Sequence, residues 1–215
     1  MGFLLSWAGP VIYVALALVA LYGVFCVILL VRKIAQKRFS SASAAEQFLD
    51  DVRASLEKRD FEAVAELCDS PRYWSKATPQ LILVALANKE RGPHKLRQLL
   101  AEKFERDVLA DLEYRFSWVG TIVKTAPMLG LLGTVSGMVL AFDKIAEAAR
   151  QGTLDPSQLS KQISLALITT MCGLLVAIPL TILGSMVQVR MGKLTDSVQE
   201  HVSEFLNDLE SAMKS

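Results

Sequence analysis

Cysteine, aromatic residues and net charge are all scarce in this chain, which has 3 cysteines, 7% aromatics and a formal charge of +1 over 215 residues. Cys26, Cys68 and Cys172 are scattered, two of them inside apolar runs, so they indicate neither a disulfide framework nor a metal cluster and read as small buried hydrophobes. Without a basic excess or a row of stacking platforms, no nucleic-acid partner is expected. The chain also lacks a phosphate loop and a nucleophile placed beside a base, while His94 and His201 stand apart on polar segments expected to be solvated. The expectation is a protein that is not an enzyme and carries no cofactor and no metal. What the chain has in abundance is apolar surface: 52% of its residues are hydrophobic and its mean hydropathy is +0.36. That is too apolar for an ordinary soluble domain, so lipid is the expected solvent for part of it.

Three stretches fit that solvent. Residues 11–31 carry no charge, and as a helix they would be about 31 Å long, enough to cross a bilayer. A cleaved signal peptide is the competing reading, but no positive charge precedes the run and the run is longer than a signal core. Arg32, Lys33, Lys37 and Arg38 follow at once, which places the short N-terminus, 1–10, outside and the basic end in the cytoplasm. The second predicted span covers 119–142 and includes Lys124, read as an anchor at the interface. The third covers 162–189 and is closed by Arg190 and Lys193. The outer loop between them, 143–161, holds Asp143, Lys144, Glu147, Arg150 and Asp155, which nearly cancel. The result is a three-span, all-α chain with its C-terminus inside.

The intervening 32–118 and the tail 190–215 read as cytoplasmic helices. Ser43 precedes an amphipathic run in which Phe48, Val52 and Leu56 recur every fourth residue, and Asp60 suits a cap for "FEAVAELC". "SPRYWSKATP" reads as a loop; "QLILVALANKE" is an apolar helix too short to cross lipid, ended by "RGP". From His94 onward Leu96, Leu100, Phe104, Val108, Leu112 and Phe116 hold one face up to the second span, so one long helix is expected there. Leu194, Val198, Val202, Phe205, Leu209 and Met213 hold a similar face in the tail, and the two faces are suited to pack together.

The second and third spans are unusually poor in bulk along one face each. Pro127, Gly130, Thr134, Gly137 and Ala141 are spaced 3, 4, 3 and 4 apart, and Ala166, Thr170, Gly173, Ala177, Thr181 and Gly184 repeat the design. Measured inward from Phe142 and Ile163, Thr134 and Thr170 fall at nearly one depth, about 10 to 12 Å down, and Pro127 and Pro179 share a second level. Spacing alone favours close packing of one helix on another, since "GTVSG" is a GxxxG pattern. Proline is tolerated in a membrane helix whose neighbours satisfy the freed carbonyl.

Beyond spacing, "APMLGLLGTVSGMVLAF" and "ALITTMCGLLVAIP" resemble the second and third spans of the MotA/TolQ/ExbB family of proton-channel subunits. The three-span layout extends the resemblance to nearly the whole chain, although the cytoplasmic insert matches only in length and helical character. The resemblance implies a homo-pentamer in the bacterial inner membrane whose second and third spans line a pore. It further implies two copies of an ExbD/TolR-like single-span partner inside the pore, and a TonB- or TolA-like protein beyond. Thr134 and Thr170 then face the partner's membrane aspartate, and Pro127, Gly130, Gly137, Ala166, Gly173, Ala177, Pro179 and Thr181 make the small-residue lining. ExbB members carry a glutamate where this chain has Leu165, and the MotA branch has a fourth span; ExbB-like and TolQ-like systems stay undecided. A partner is also demanded by the residues themselves, because Lys124 is the one residue within the spans that is charged at neutral pH. A solute transporter with inverted repeats does not suit three spans, whereas a passive scaffold does.

Overall fold

The computed structural model describes residues 2–151 and 156–214, with side chains for 10–150, 160 and 162–213. The described residues form seven α-helices: α1 (Gly2–Lys37), α2 (Ala42–Glu57), α3 (Phe61–Asp69), α4 (Ala77–Ala87), α5 (Pro93–Phe104), α6 (Ala110–Gln151) and α7 (Pro156–Lys214). Three helices are long and apolar enough to cross a membrane, and they contain the expected stretches 11–31, 119–142 and 162–189. The protein is therefore an all-α, multi-pass membrane protein with helical extensions. The expected outer loop, 143–161, is helical up to Gln151 and again from Pro156. Its centre, 152–155 with Asp155, lies outside the described residues, as do the side chains before Pro10.

The chain divides into two compact units, one of Met1–Ile28 with Phe116–Met186 and the other of Leu29–Arg115 with Val187–Ser215. In the first unit α1, α6 and α7 pack with small residues at their contacts. Ile12 and Leu16 of α1 bury themselves against Ala126 and Ala177, with Val19, Leu129, Cys172 and Val176 around them. Gly23 permits the approach, since a Cβ there would lie 2.6 Å from a Leu180 methyl and 3.3 Å from Ile122.

The second unit has a core of large side chains. Ser41 caps α2, its hydroxyl accepting from Ala44 N at 3.2 Å. Ser43, the residue expected before the helix, instead shares a hydrogen bond with Ser41 at 3.1 Å. Asp60 caps α3 as expected, accepting from Ala63 N at 3.0 Å. Phe48, Val52 and Leu56 are buried, as are Leu96, Leu100, Phe104, Val108 and Leu112. Those last five residues repeat strictly every four, whereas an ideal helix turns every 3.6, so the apolar stripe would drift by about 40° per step. A π-helical turn at Glu105–Leu109, joining α5 to α6, takes up that drift and keeps the stripe facing inward. On α7, Leu194, Val198, Val202, Phe205 and Leu209 are buried, but Met213, expected on the same face, is 53% exposed near the helix end.

His201 departs from expectation as well. Its ring packs edge-on against Phe39, 5.9 Å between centroids, and Phe39 in turn meets Phe48 at 5.4 Å. It is partly buried rather than solvated, its Nδ1 is enclosed without a hydrogen-bond partner among the described residues, and burial lowers its pKa against the opposing pull of Glu200 and Glu204. Arg53 ties α2 to α7 through Glu204 at 2.8 Å and Asp208 at 3.0 Å.

Candidate functional site

Within the first unit α6 and α7 approach closely, three glycines of α6 meeting a stretch of α7. A Cβ at Gly130 would stand 2.9 Å from both the Thr169 carbonyl oxygen and the Thr170 Cα, so the two backbones touch. A Cβ at Gly173 would lie 2.7 Å from the Ala126 carbonyl and 3.3 Å from the Cα atoms of Gly130 and Pro127. One at Gly137 would lie 2.7 Å from the Ala166 methyl, and one at Gly133 would collide with the Thr169 side chain. Small-residue faces permit this kind of approach between membrane helices, where dispersion contacts and interhelical hydrogen bonds hold the pair.

Thr169 supplies the hydrogen bond. It is 4% exposed, and its hydroxyl donates across to Gly130 O at 3.0 Å while also lying 2.6 Å from its own helix's Ala166 O. Sequence spacing singled out Thr170 and passed over both Thr169 and Gly133. The signal for Gly133 was present in the 3, 4 spacing of Gly130, Gly133 and Gly137, which defines a face adjacent to the one holding Thr134; no spacing within α7 separates Thr169 from Thr170.

The expected site residues therefore separate into groups. Gly130, Gly137, Ala166 and Gly173 meet across the α6–α7 contact, and Ala177 is buried in the cluster beneath Ile12 and Leu16 of α1. Pro127 lies beside Gly173 and is partly buried, while Pro179 and Thr181 are exposed, Thr181 bonding its own helix at Ala177 O, 2.8 Å. Lys124 is exposed. Thr134 is half-buried and donates to Leu131 O at 2.8 Å. Thr170 is also half-buried, and its Oγ1 is enclosed with no hydrogen-bond partner among the described residues.

Register refines the expected depths. Gly130 opposes Thr170 and Gly137 opposes Ala166, so Thr134, lying between them, is within one turn of Thr170. The prolines do not share a level. Pro127 is beside Gly173, and Pro179 is six residues further along α7, roughly 9 Å. The expectation measured from Phe142 and Ile163, but from the Gly137–Ala166 contact these lie five and three residues outward, so the two apolar runs do not end opposite each other.

Among the described residues no group of three His, Cys, Asp or Glu side chains is placed to hold a metal ion. The sequence profile of the MotA/TolQ/ExbB proton channel family matches residues 73–200, which include both members of the packed helix pair. The chain belongs to the MotA/TolQ/ExbB proton channel family. Membership places it among channel subunits and not among enzymes.

Relatives within the MotA/TolQ/ExbB family point the same way. An ExbB homolog from Methanothermobacter thermautotrophicus, named for biopolymer transport, is 29% identical over 186 residues, 85% of this chain and 62% of that protein. The biopolymer transport protein ExbB of Aquifex aeolicus is 41% identical over 73 residues, 34% of this chain and 47% of its own length. The Tol-Pal system protein TolQ of Haemophilus influenzae is 31% identical over 97 residues, 45% of this chain and 41% of that one. The chain thus spans less than two thirds of the length of these relatives.

Proposed function

We propose that this protein is an inner-membrane ion-channel and stator subunit of the ExbB/TolQ type, coupling the proton-motive force to mechanical work in the envelope. The observation that carries this reading is that the family match runs through both small-residue spans and the two threonines there lie within one turn of each other. In this reading five copies surround a pore, and the pore holds the membrane helices of two copies of an ExbD/TolR-like partner bearing an aspartate. The N-terminus is outside and the C-terminus cytoplasmic, following the basic residues after the first and third spans. TonB-dependent outer-membrane transport is the favoured output.

Within this reading the small-residue face has two uses. Gly130, Gly133, Gly137, Ala166 and Gly173 hold α6 against α7, and Ala177 seats α1, so that the pair forms a thin wall. Thr134 and Thr170, with Pro127, Pro179 and Thr181, then face the pore. The enclosed hydroxyl of Thr170 has hydrogen-bonding capacity that no group among the described residues uses, and a carboxyl group arriving from the partner would satisfy it. The chain supplies no carboxylate inside its spans, so the titrating group belongs to the partner.

The test is proton flux into liposomes under an imposed voltage, comparing the chain alone with the chain co-purified with its aspartate-bearing partner. Flux only in the pair, lost when the partner's aspartate becomes asparagine, supports the stator. Thr134→Val and Thr170→Val are each expected to assemble normally and lose coupled work; full activity in both would remove the pore assignment. A silent but correctly assembled pair would point to a passive scaffold. The TolQ match raises Tol-Pal envelope maintenance as a second output, separated from the first by which envelope partner restores activity.

A further inference from the structure

The loop "SPRYWSK" has no part in the channel reading, yet it is well ordered. Tyr73 N and Trp74 N both donate to Ser70 O, at 2.9 and 3.0 Å, and Lys76 N donates to Tyr73 O at 2.8 Å. Tyr73 is buried in the aromatic cluster, 4.8 Å from Phe48 and 6.1 Å from Phe39 between ring centroids. Trp74, the next residue, is 63% exposed, and Arg72 beside it is exposed too. An exposed tryptophan on a fixed turn, between two cations, is suited to a surface that is both apolar and anionic.

Hydrogen bonds fix where the turn lies. Lys76 Nζ donates to the Arg38 carbonyl at 2.7 Å. Gln80 bridges the other side, donating to Trp74 O at 2.7 Å and accepting from Lys37 Nζ at 2.9 Å. The turn is thereby moored to the end of α1, seven residues beyond Val31, the last residue of the apolar run. Seven residues of helix are about 10 Å, and the headgroup layer outside the hydrocarbon is roughly 5–8 Å deep on each side. The turn is therefore a side chain's length from the lipid headgroups.

Charge completes the argument. Residues 32–38 contribute Arg32, Lys33, Lys37 and Arg38, the turn adds Arg72 and Lys76, and neither segment contains an acid. Asp111 faces this group and is engaged by Lys33 at 2.5 Å and by Arg115. Four cations directly after a membrane span already attract anionic lipid. Folding brings in two more, and an indole, from a segment more than thirty residues away.

We propose that the 70–76 turn clamps the protein to the membrane surface, with Trp74 and Arg72 joining the basic end of α1 to bind the anionic headgroups of the leaflet from which α1 emerges. Tryptophan is enriched at this depth because its ring is apolar and its N–H is satisfied by headgroup oxygens. The proposal rests on α1 crossing the membrane and not on the identity of the transported ion.

The test uses the full chain carrying Trp7→Phe and Trp118→Phe, which leaves Trp74 as the sole tryptophan. It is placed in nanodiscs of phosphatidylcholine alone or mixed with phosphatidylglycerol, with a headgroup-nitroxide lipid as quencher. The expected result is strong nitroxide quenching of Trp74 in the anionic discs, weaker quenching in the neutral ones, and relief by salt. Arg72→Gln should lower the docked-to-free ratio about fivefold, the worth of one cation near an anionic surface. Quenching that ignores lipid composition, or emission freely quenched by soluble acrylamide in every disc, would overturn the proposal. Protection from both quenchers would also overturn it, by showing that another copy of the chain covers Trp74.

Discussion

The two units are held together by opposite means. In the membrane unit the helices meet where side chains are missing, at Gly23, Gly130, Gly133, Gly137 and Gly173. In the second unit they meet where side chains are large, and Phe48, Phe205, Leu56, Leu100 and Leu112 are almost wholly buried. The difference follows from the solvent. Lipid gives no hydrophobic reward for burying a leucine, so close backbone approach and hydrogen bonds must hold the helices. Water rewards burial of each large side chain by about 1.5–3 kcal/mol.

Substitutions test the contrast from both ends. The largest effect is expected from Gly130→Leu, which forces a side chain into the backbone of Thr169 and Thr170. The α6–α7 pair should fail to form, read as loss of protease resistance in detergent. Enlarging a residue in the second unit's interior would instead cost about 1–3 kcal/mol. Next is the reverse operation: Phe205→Ala removes a side chain that is 1% exposed and should destabilise the second unit by about 3–5 kcal/mol. Its readout is faster hydrogen exchange in α2 and in the part of α7 from Val187 onward, with no change in the membrane unit. If Gly130→Leu were tolerated while Phe205→Ala was not, the membrane contact would be looser than described.

Smaller effects sharpen the comparison. Thr169→Val keeps the shape and removes the hydrogen bond to Gly130 O. Bonds of this kind between membrane helices average about 0.6 kcal/mol and reach about 1.7, so a modest fall in melting temperature with full assembly is expected. The smallest change concerns pH. Burial favours the neutral His201 ring, so the unfolded chain binds the extra proton more readily. Stability should therefore fall as pH drops through the ordinary value of 6.5 and level off below the folded value. Cys68 reports this, because burial raises its thiol pKa to about 12 and encloses it. Its alkylation, normalised to the unfolded chain at each pH, should accelerate toward acid in the native sequence and not in His201→Phe.

Much of this was legible in the residues. Long apolar runs mark the three membrane helices because lipid is the solvent that accepts them, and the fourfold repeat of Leu96, Leu100, Phe104, Val108 and Leu112 gives the buried stripe. The small faces of α6 and α7 were visible too, but spacing within one helix does not say which part of a face meets the neighbour. Thr169 and Thr170 are adjacent in sequence, and only the mutual rotation of the helices decides which of them reaches Gly130. The register of the prolines was missed for a similar reason, since the end of an apolar run marks where charge begins and not what lies opposite. His201 was misjudged because Phe39, which covers it, is remote in sequence.

The π turn at Glu105–Leu109 lets the helix carry one residue more than its buried stripe needs. Closing it to ordinary helical pitch with every residue kept would swing Val108 and Leu112 by about 100° away from the stripe begun by Leu96 and Leu100. Removing one residue from the turn at the same time would cancel that rotation and leave the stripe facing inward. A single deletion is therefore what this stretch of helix can absorb, whereas an insertion would need a second wide turn to keep the stripe in register.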